Sequence, residues 1–145
     1  EKWYSCPTMK TKKISHIGVA VPTIEEYLEF YRGVLQLDFT GTEEVPAQKV
    51  KVAFFTIGES RIELLEPTSD DSPVKKYLDA GGGKPRIHHV AYEVDDLDAA
   101  LNEVRAAGLV LIDETPRIGA GGARIAFIHP KSSGGVLTEL CEHRK

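Results

Sequence analysis

Two histidines and two glutamates occupy matched positions along the chain and could together bind a divalent metal ion. His16 and His89 lie 73 residues apart, and Glu63 and Glu139 lie 76 residues apart, each glutamate inside an otherwise apolar segment. A carboxylate in the interior of a sheet is costly unless it is paired or bound to a cation. Imidazole and carboxylate ligands together suit Co, Mn, Ni or Zn. The sequence therefore predicts one divalent ion per chain, held by these four side chains.

Each of these residues also has a purely structural interpretation. A single histidine on a strand is more often structural than a ligand. Glu63 could form an ion pair with Arg61 or Arg86, and Glu139 could lie on a solvated face. The coincidence across two matched stretches favours the metal site, because one cause then accounts for every position.

The histidines lie in two segments, 14–21 and 87–94, which have the alternating, β-branched pattern of strands. Successive side chains of a strand point to opposite faces, so His16 shares its face with glycine and alanine, which leave space above the sheet. His89 is likewise followed on its face by an alanine. The adjacent His88 falls on the face that packs against a helix and is therefore the weaker candidate ligand.

The whole chain repeats a pattern of one strand, one helix and three strands. The first helix is predicted to begin at the capping box formed by Thr23 and Glu26, and the second at the N-cap Asp96. The remaining strands are predicted near 37–43, 50–57, 60–66, 109–114, 124–129 and 135–141. This repetition predicts an α+β fold in which two tandem βαβββ modules form a curved mixed sheet around a metal-binding cleft.

The repeat also predicts how the chain is divided. A short helix capped by Ser72 is expected between the two modules. The predicted bounds are 1–13 for an N-terminal extension, 14–145 for a single domain, and within it 14–67 for module one, 68–86 for the linker helix and 87–141 for module two.

Composition and charge argue against several classes of protein. The 145 residues are 41% hydrophobic and 28% charged, as in an ordinary globular domain. The formal charge of −4, without a cluster of Lys and Arg, argues against nucleic acid as a partner. No apolar run approaches the roughly 18 residues of a membrane span, and Cys6 and Cys141 form no disulfide framework. We therefore expect a cytoplasmic protein without a membrane or nucleic-acid partner.

Six segments carry a resemblance to a known family. They are ISHIGVAV (14–21), GESRIELLEP (58–67), SDDSPVKKYL (69–78), HHVAYEVDDLDAAL (88–101), PRIGAGGARIAFIHPKS (116–132) and GGVLTEL (134–140). Together they resemble the methylmalonyl-CoA epimerases of the vicinal oxygen chelate superfamily, over nearly the whole chain from residue 14 onward. The resemblance implies that His16, Glu63, His89 and Glu139 are the metal ligands. It also implies a homodimer and an acyl-CoA substrate.

The resemblance further implies a reaction. A metal-dependent epimerase of this family would interconvert (R)- and (S)-methylmalonyl-CoA, with Glu139 removing the C2 proton and the ion stabilising the enolate. A lactoylglutathione lyase of the glyoxalase I type uses similar ligands and is the first alternative. A module that binds a small molecule without catalysis is the second alternative.

One position departs from the family pattern. The second base of the family corresponds to Ala47, within VPAQKV at 45–50, and alanine cannot transfer a proton. Glu43, Glu44 or a water molecule could serve in its place. The sequence thus predicts the metal site more completely than it predicts the pair of groups that would move protons.

Overall fold

The computed structural model of the chain describes residues 9–143. The first eight residues of the predicted extension, including Cys6, lie outside the described part. The strands are β1 Thr11–Ala20, β2 Asp38–Val45, β3 Val50–Ile57, β4 Ser60–Pro67, β5 Arg86–Val94, β6 Arg117–Ile118, β7 Arg124–Ile128 and β8 Thr138–Glu142. The helices are α1 Ile24–Leu28, continued by a π-helical segment Glu29–Val34, α2 Pro73–Ala80 and α3 Leu97–Ala106, with 3₁₀ turns at Pro46–Gln48, Ala120–Gly122 and Pro130–Ser132.

The chain divides into two compact units. The first unit is 16–88, and the described part of the second unit is 9–15 together with 89–143. The linker helix α2 belongs to the first unit, and the beginning of β1 belongs to the second. The module bounds expected from the sequence repeat stay a prediction.

In the first unit the strands lie in the order β2-β3-β4-β1. β1 runs parallel to β4, and β3 is antiparallel to both of its neighbours. The apolar core on one face of these strands consists of Val19, Val21, Ile24, Ala53, Phe55 and Leu64. Because neighbouring residues of a strand face opposite sides, His16 and Glu63 lie on the other face.

The second unit repeats this arrangement with the strand order β5-β8-β7-β6. β5 runs parallel to β8, and β7 is antiparallel to both β8 and β6. Its core consists of Val94, Leu97, Ala100, Leu101, Val104, Leu111, Ala126, Ile128 and Leu140. His89 and Glu139 lie on the opposite face of their strands. The matched strand pairings confirm the predicted α+β fold of two βαβββ modules with mixed pairing.

The prediction of a strand at 109–114 is wrong. Leu111 makes only an isolated antiparallel bridge with Ile128. The carboxylate of Asp113 then accepts the backbone N–H of Phe127 at 2.8 Å. A short polar side chain that accepts a backbone N–H interrupts the regular hydrogen bonding between two strands. Regular pairing with β7 therefore resumes only at the two residues of β6.

The helices are short, and the cap predicted for α2 is confirmed. The hydroxyl of Ser72 accepts the N–H of Val74 at 3.2 Å, and Gly81 ends the helix after 8 residues. α3 has 10 residues. Across residues 9–143, no helix has the length and apolar character needed to cross a membrane.

A glutamate on the last strand of each unit anchors the first helix of that unit. In the first unit, the N–H of Ile24 donates to the carboxylate of Glu66 at 2.7 Å. The hydroxyl of Thr23 donates to Glu26 instead of accepting a backbone amide, so the predicted capping box is not formed in its usual way. The carboxylate at this end also suits the positive end of the helix dipole.

The second unit uses the same device. The N–H of Leu97 donates to the carboxylate of Glu142 at 2.9 Å. Asp96 additionally accepts the N–H of Ala99 at 3.1 Å, which confirms it as the predicted N-cap. The sequence carries a signal for these anchors, because both strands contain the pattern Glu-x-x-Glu, as ELLE and ELCE. Residues three apart on a strand face opposite sides, so one glutamate of each pattern faces the helix.

Candidate active site

The first unit brings His16 and Glu63 together on one face of neighbouring strands. Glu63 is opposite Gly18 on β1 and opposite Phe54 on β3. The glycine has no side chain to cover the carboxylate from that side. Glu63 is only 2% exposed and His16 only 5%. His16 Nδ1 lies 3.4 Å from Glu63 Oε2.

Arg61 binds the same carboxylate. It lies two residues before Glu63 on β4, and its Nε and Nη2 donate to Glu63 Oε2 at 3.2 and 2.6 Å. The guanidinium carbon lies 5.8 Å from the centre of the Phe54 ring. Of the two arginines that the sequence offered as partners of Glu63, Arg61 is therefore the one that pairs with it. The guanidinium of Arg86 instead lies over the ring of Tyr77.

The second unit brings His89 and Glu139 together in the matching way. Glu139 is opposite Ala91 on β5 and opposite Phe127 on β7. His89 is 5% exposed and Glu139 is 4% exposed, so the alternative of a solvated face for Glu139 is wrong. His89 Nε2 lies 3.4 Å from Glu139 Oε1. The imidazole meets the Phe127 ring edge to face, with 5.4 Å between ring centres.

The spacing within each pair fits a shared cation. A distance of 3.4 Å is longer than the usual 2.7–3.2 Å of an N–H···O hydrogen bond. Two ligand atoms about 2.0–2.2 Å from one ion, at an angle of about 90–109°, lie roughly 2.8–3.6 Å apart. His16, His89 and Glu139 are all buried, and each offers one atom that could ligate a metal ion. Each unit thus supplies one imidazole and one carboxylate, donor types that suit a divalent transition metal.

His88 has a different environment from His89. Its ring meets the ring of Tyr77 edge to face at 4.9 Å between centres. Burial, and secondly the charge of Arg86, lower the pKa of His88 to about 4. A histidine packed in this way is a neutral side chain in contact with α2, as the strand alternation predicted.

Glu43 lies on the face of the sheet that carries the predicted ligands. It is in register with Val52 on β3, which is in register with Leu65 on β4. Leu65 follows Glu63 by two residues, so the side chains of Glu43 and Glu63 point to the same side. Ala47 is exposed in the 3₁₀ turn after β2.

Glu44 lies on the opposite face. It is in register with Lys51, which is in register with Glu66. The carboxylate of Glu66 anchors helix α1, so Glu44 belongs to the helix side of the sheet. The register thus separates the two carboxylates that the sequence alone left equivalent.

The chain is similar to known proteins over most of its length. Residues 15–127 match the Glyoxalase/Bleomycin resistance protein/Dioxygenase superfamily. An ethylmalonyl-CoA/methylmalonyl-CoA epimerase from Cereibacter sphaeroides is 38% identical, over 88% of this chain and 96% of the relative. Among solved structures, the methylmalonyl-CoA epimerase from Mycobacterium tuberculosis is 33% identical, with a TM-score of 0.90 over 100% of this chain and 97% of that one.

A second solved structure carries a ligand. It is a methylmalonyl-CoA epimerase in complex with methylmalonyl-CoA and NH₄⁺, 38% identical to this chain. Its TM-score is 0.85, over 92% of this chain and 95% of that one. These findings confirm the resemblance seen in the sequence: the chain belongs to the methylmalonyl-CoA epimerase family within the Glyoxalase/Bleomycin resistance protein/Dioxygenase superfamily.

Proposed function

We propose that the protein is a metal-dependent epimerase that interconverts (R)- and (S)-methylmalonyl-CoA by moving the proton on C2. The observation that carries the proposal is the pair of buried histidine–carboxylate contacts at matched positions of two βαβββ units. The epimerases among its relatives support the choice of substrate. The acyl-CoA substrate, a homodimer and a cytoplasmic location belong to the same proposal.

In this proposal His16, Glu63, His89 and Glu139 hold one divalent ion, which is Co, Mn, Ni or Zn. When bound, the ion would act as a Lewis acid toward the negative charge that develops on the thioester oxygen. Four protein ligands leave room for substrate oxygens if the ion is six-coordinate. The burial of all four side chains excludes water from their unused lone pairs, which strengthens their attraction for a cation.

Glu139 is the proposed base. Its carboxylate would take the C2 proton, while the electron pair of the C–H bond moves into the thioester carbonyl. A proton returned to the opposite face of C2 then gives the other epimer. Glu63 has the same residue type and a similar burial, but its Oε2 already accepts two hydrogen bonds from Arg61. This difference favours Glu139 for proton transfer.

Glu43 is the proposed partner of Glu139 on the other side of the substrate. Ala47 cannot transfer a proton, and Glu43 is a carboxylate on the face that carries the predicted ligands. Glu44 points to the helix side of the sheet, so the register favours Glu43 over Glu44 for this role. After one turnover Glu139 is protonated and Glu43 is ionised, and exchange with solvent restores both.

Turnover of methylmalonyl-CoA by protein reconstituted with each of the four metals tests the proposal. The expected result is epimerisation with at least one metal and none after chelation. Turnover of the glutathione thiohemiacetal of methylglyoxal instead would identify the lyase alternative. Binding of either compound without turnover would identify the non-catalytic alternative.

Two variants test the second proton-transfer group. Glu43→Gln should lower epimerisation by about 10²–10⁴-fold, the usual contribution of a positioned acid or base. It should leave exchange of the C2 proton with deuterated solvent in one epimer, because Glu139 remains. Glu44→Gln is the matched control and should epimerise normally. Equal losses in the two variants would reject Glu43, and Ala47→Glu would then test whether the family position still faces the substrate.

A further inference from the structure

We propose that Arg61 is a positioning residue that neutralises Glu63 and thereby sets the affinity of the site for its metal ion. The inference rests on the proposed metal site and adds a residue outside the predicted ligand set. Arg61 would compete with the ion as the counter-ion of Glu63. It would also keep this carboxylate a fixed ligand, leaving proton transfer to the other unit.

The geometry of the contact supports this role. Arg61 is in register with His16 on β1 and lies two residues from Glu63, so all three side chains lie on one face. Both hydrogen bonds from the guanidinium end on Oε2, the oxygen that lies 3.4 Å from His16 Nδ1. The guanidinium of Arg61 is therefore hydrogen-bonded to the same carboxylate oxygen that faces the imidazole.

The degree of burial shows why a counter-ion is needed. The side chain of Glu63 is 3% exposed, whereas that of Arg61 is 26% exposed. An ionised carboxylate with so little access to water is destabilising unless a positive charge lies beside it. Because the side chain of Arg61 is partly exposed, its guanidinium keeps part of its hydration while it supplies that charge.

The second unit lacks an arginine at the matched position. Two residues before Glu139 stands Leu137, which is apolar. The second unit does have an arginine over a phenylalanine, because the guanidinium carbon of Arg117 lies 5.6 Å from the centre of the Phe127 ring. Its Nε, however, pairs with Asp113 at 3.0 Å. The arginine–phenylalanine contact thus recurs in both units, but the arginine binds a predicted ligand in the first unit and Asp113 in the second.

Titration of metal-free protein with Co²⁺ tests the inference by a readout that does not depend on turnover. Arg61→Gln should lower the Kd for Co²⁺ by about tenfold, because the full charge of Glu63 is then available to the ion. The same variant should melt at a lower temperature than wild type without metal, and Co²⁺ should restore most of that loss. A purely structural role would lower the melting temperature equally with and without Co²⁺.

Three further variants complete the test. Arg61→Lys keeps the positive charge and should keep a Kd near that of wild type. In a Glu63→Gln background, Arg61→Gln should leave the Kd for Co²⁺ unchanged. Arg117→Gln is the matched control and should also leave it unchanged. A Kd that stays the same or rises in Arg61→Gln overturns this inference alone, whereas failure of wild type to bind any of Co²⁺, Mn²⁺, Ni²⁺ and Zn²⁺ overturns the metal site as well.

Discussion

The two units place the same histidine–glutamate pair on matched strands but surround the carboxylate differently. In each, a histidine on the first strand lies 3.4 Å from a glutamate on the last. Glu63 has Arg61 on its own strand and face, whereas Glu139 has Leu137 at the matched position. Repetition of the fold therefore reproduces the position of the glutamate, and the residue two places before it changes the charge beside its carboxylate. We therefore expect the two glutamates to differ in role.

The largest effects are expected at the histidines, where the two units are alike. His16→Ala and His89→Ala should each weaken metal binding by more than the 10–100-fold typical of a residue behind the ligands. Metal content and Kd measured on the purified variants check this. His88→Ala is the control, since this ring packs on Tyr77 and should weaken binding much less. Equal losses in His88→Ala and His89→Ala would show that the strand faces are assigned wrongly.

Substitution of the two glutamates should have different effects on proton exchange. Glu139→Gln should abolish exchange of the C2 proton with deuterated solvent, a loss of about 10²–10⁴-fold or more. Glu63→Gln should retain exchange once metal is restored, because it removes a ligand charge and not the proposed base. Metal content must be measured on the same samples to separate ligation from proton transfer. Exchange that persists in metal-loaded Glu139→Gln would leave this residue a ligand only.

Removal of the ion should destabilise the folded protein. A ligand that binds only the folded state adds about 2.7 kcal/mol when its free concentration is 100 times its Kd. Thermal unfolding with and without a chelator should show this difference for wild type. The double variant of His16→Ala and His89→Ala provides the control, since its melting temperature should not respond to chelation. An unchanged wild-type curve would contradict an ion held by the folded chain.

Much of the fold could be predicted because its signals are local and repeated. Strand alternation and the Ser72 and Asp96 caps depend on neighbouring residues, and the structure forms them as expected. The strand at 109–114 failed because Asp113 takes a backbone N–H from β7, a contact between residues 14 apart in sequence. The helix-anchoring roles of Glu66 and Glu142 depend on contacts of 42 and 45 residues. In the sequence, the repeated Glu-x-x-Glu pattern is the signal that indicates these anchoring roles.

The candidate site likewise combines features that the sequence predicted with features that only the structure could show. The positions of the two histidines and two glutamates followed from periodicity, and the structure brings each histidine beside the glutamate of its own unit. The sequence left the partner of Glu63 open between Arg61 and Arg86. Register decides that question, because only Arg61 shares a strand and a face with this carboxylate. Register also separates Glu43 from Glu44, which adjacent positions in the sequence could not do.

The smallest effects are expected where a glutamate anchors a helix, and they give a last comparison of the units. Glu66→Gln and Glu142→Gln both keep an oxygen that can accept the first N–H of the helix but lose the charge, which should cost about 0.3–1 kcal/mol each at the helix end. Glu142 also pairs with Arg124 at 3.2 Å, so its variant should lose a little more in urea unfolding. Arg124 keeps a second partner, Asp98, at 3.1 Å, which limits the additional loss.

The excess loss in Glu142→Gln over Glu66→Gln should vanish in an Arg124→Gln background. The reason is that the first helix amide is held in the same way in both units, at 2.7 Å in one and 2.9 Å in the other. Arg124 is a charged partner of Glu142 in addition to the helix amide. An excess that survives without Arg124 would mean that the two anchors differ in the packing of their helices and not in charge. The similarity between the units would then be limited to the strands that carry the histidines and glutamates.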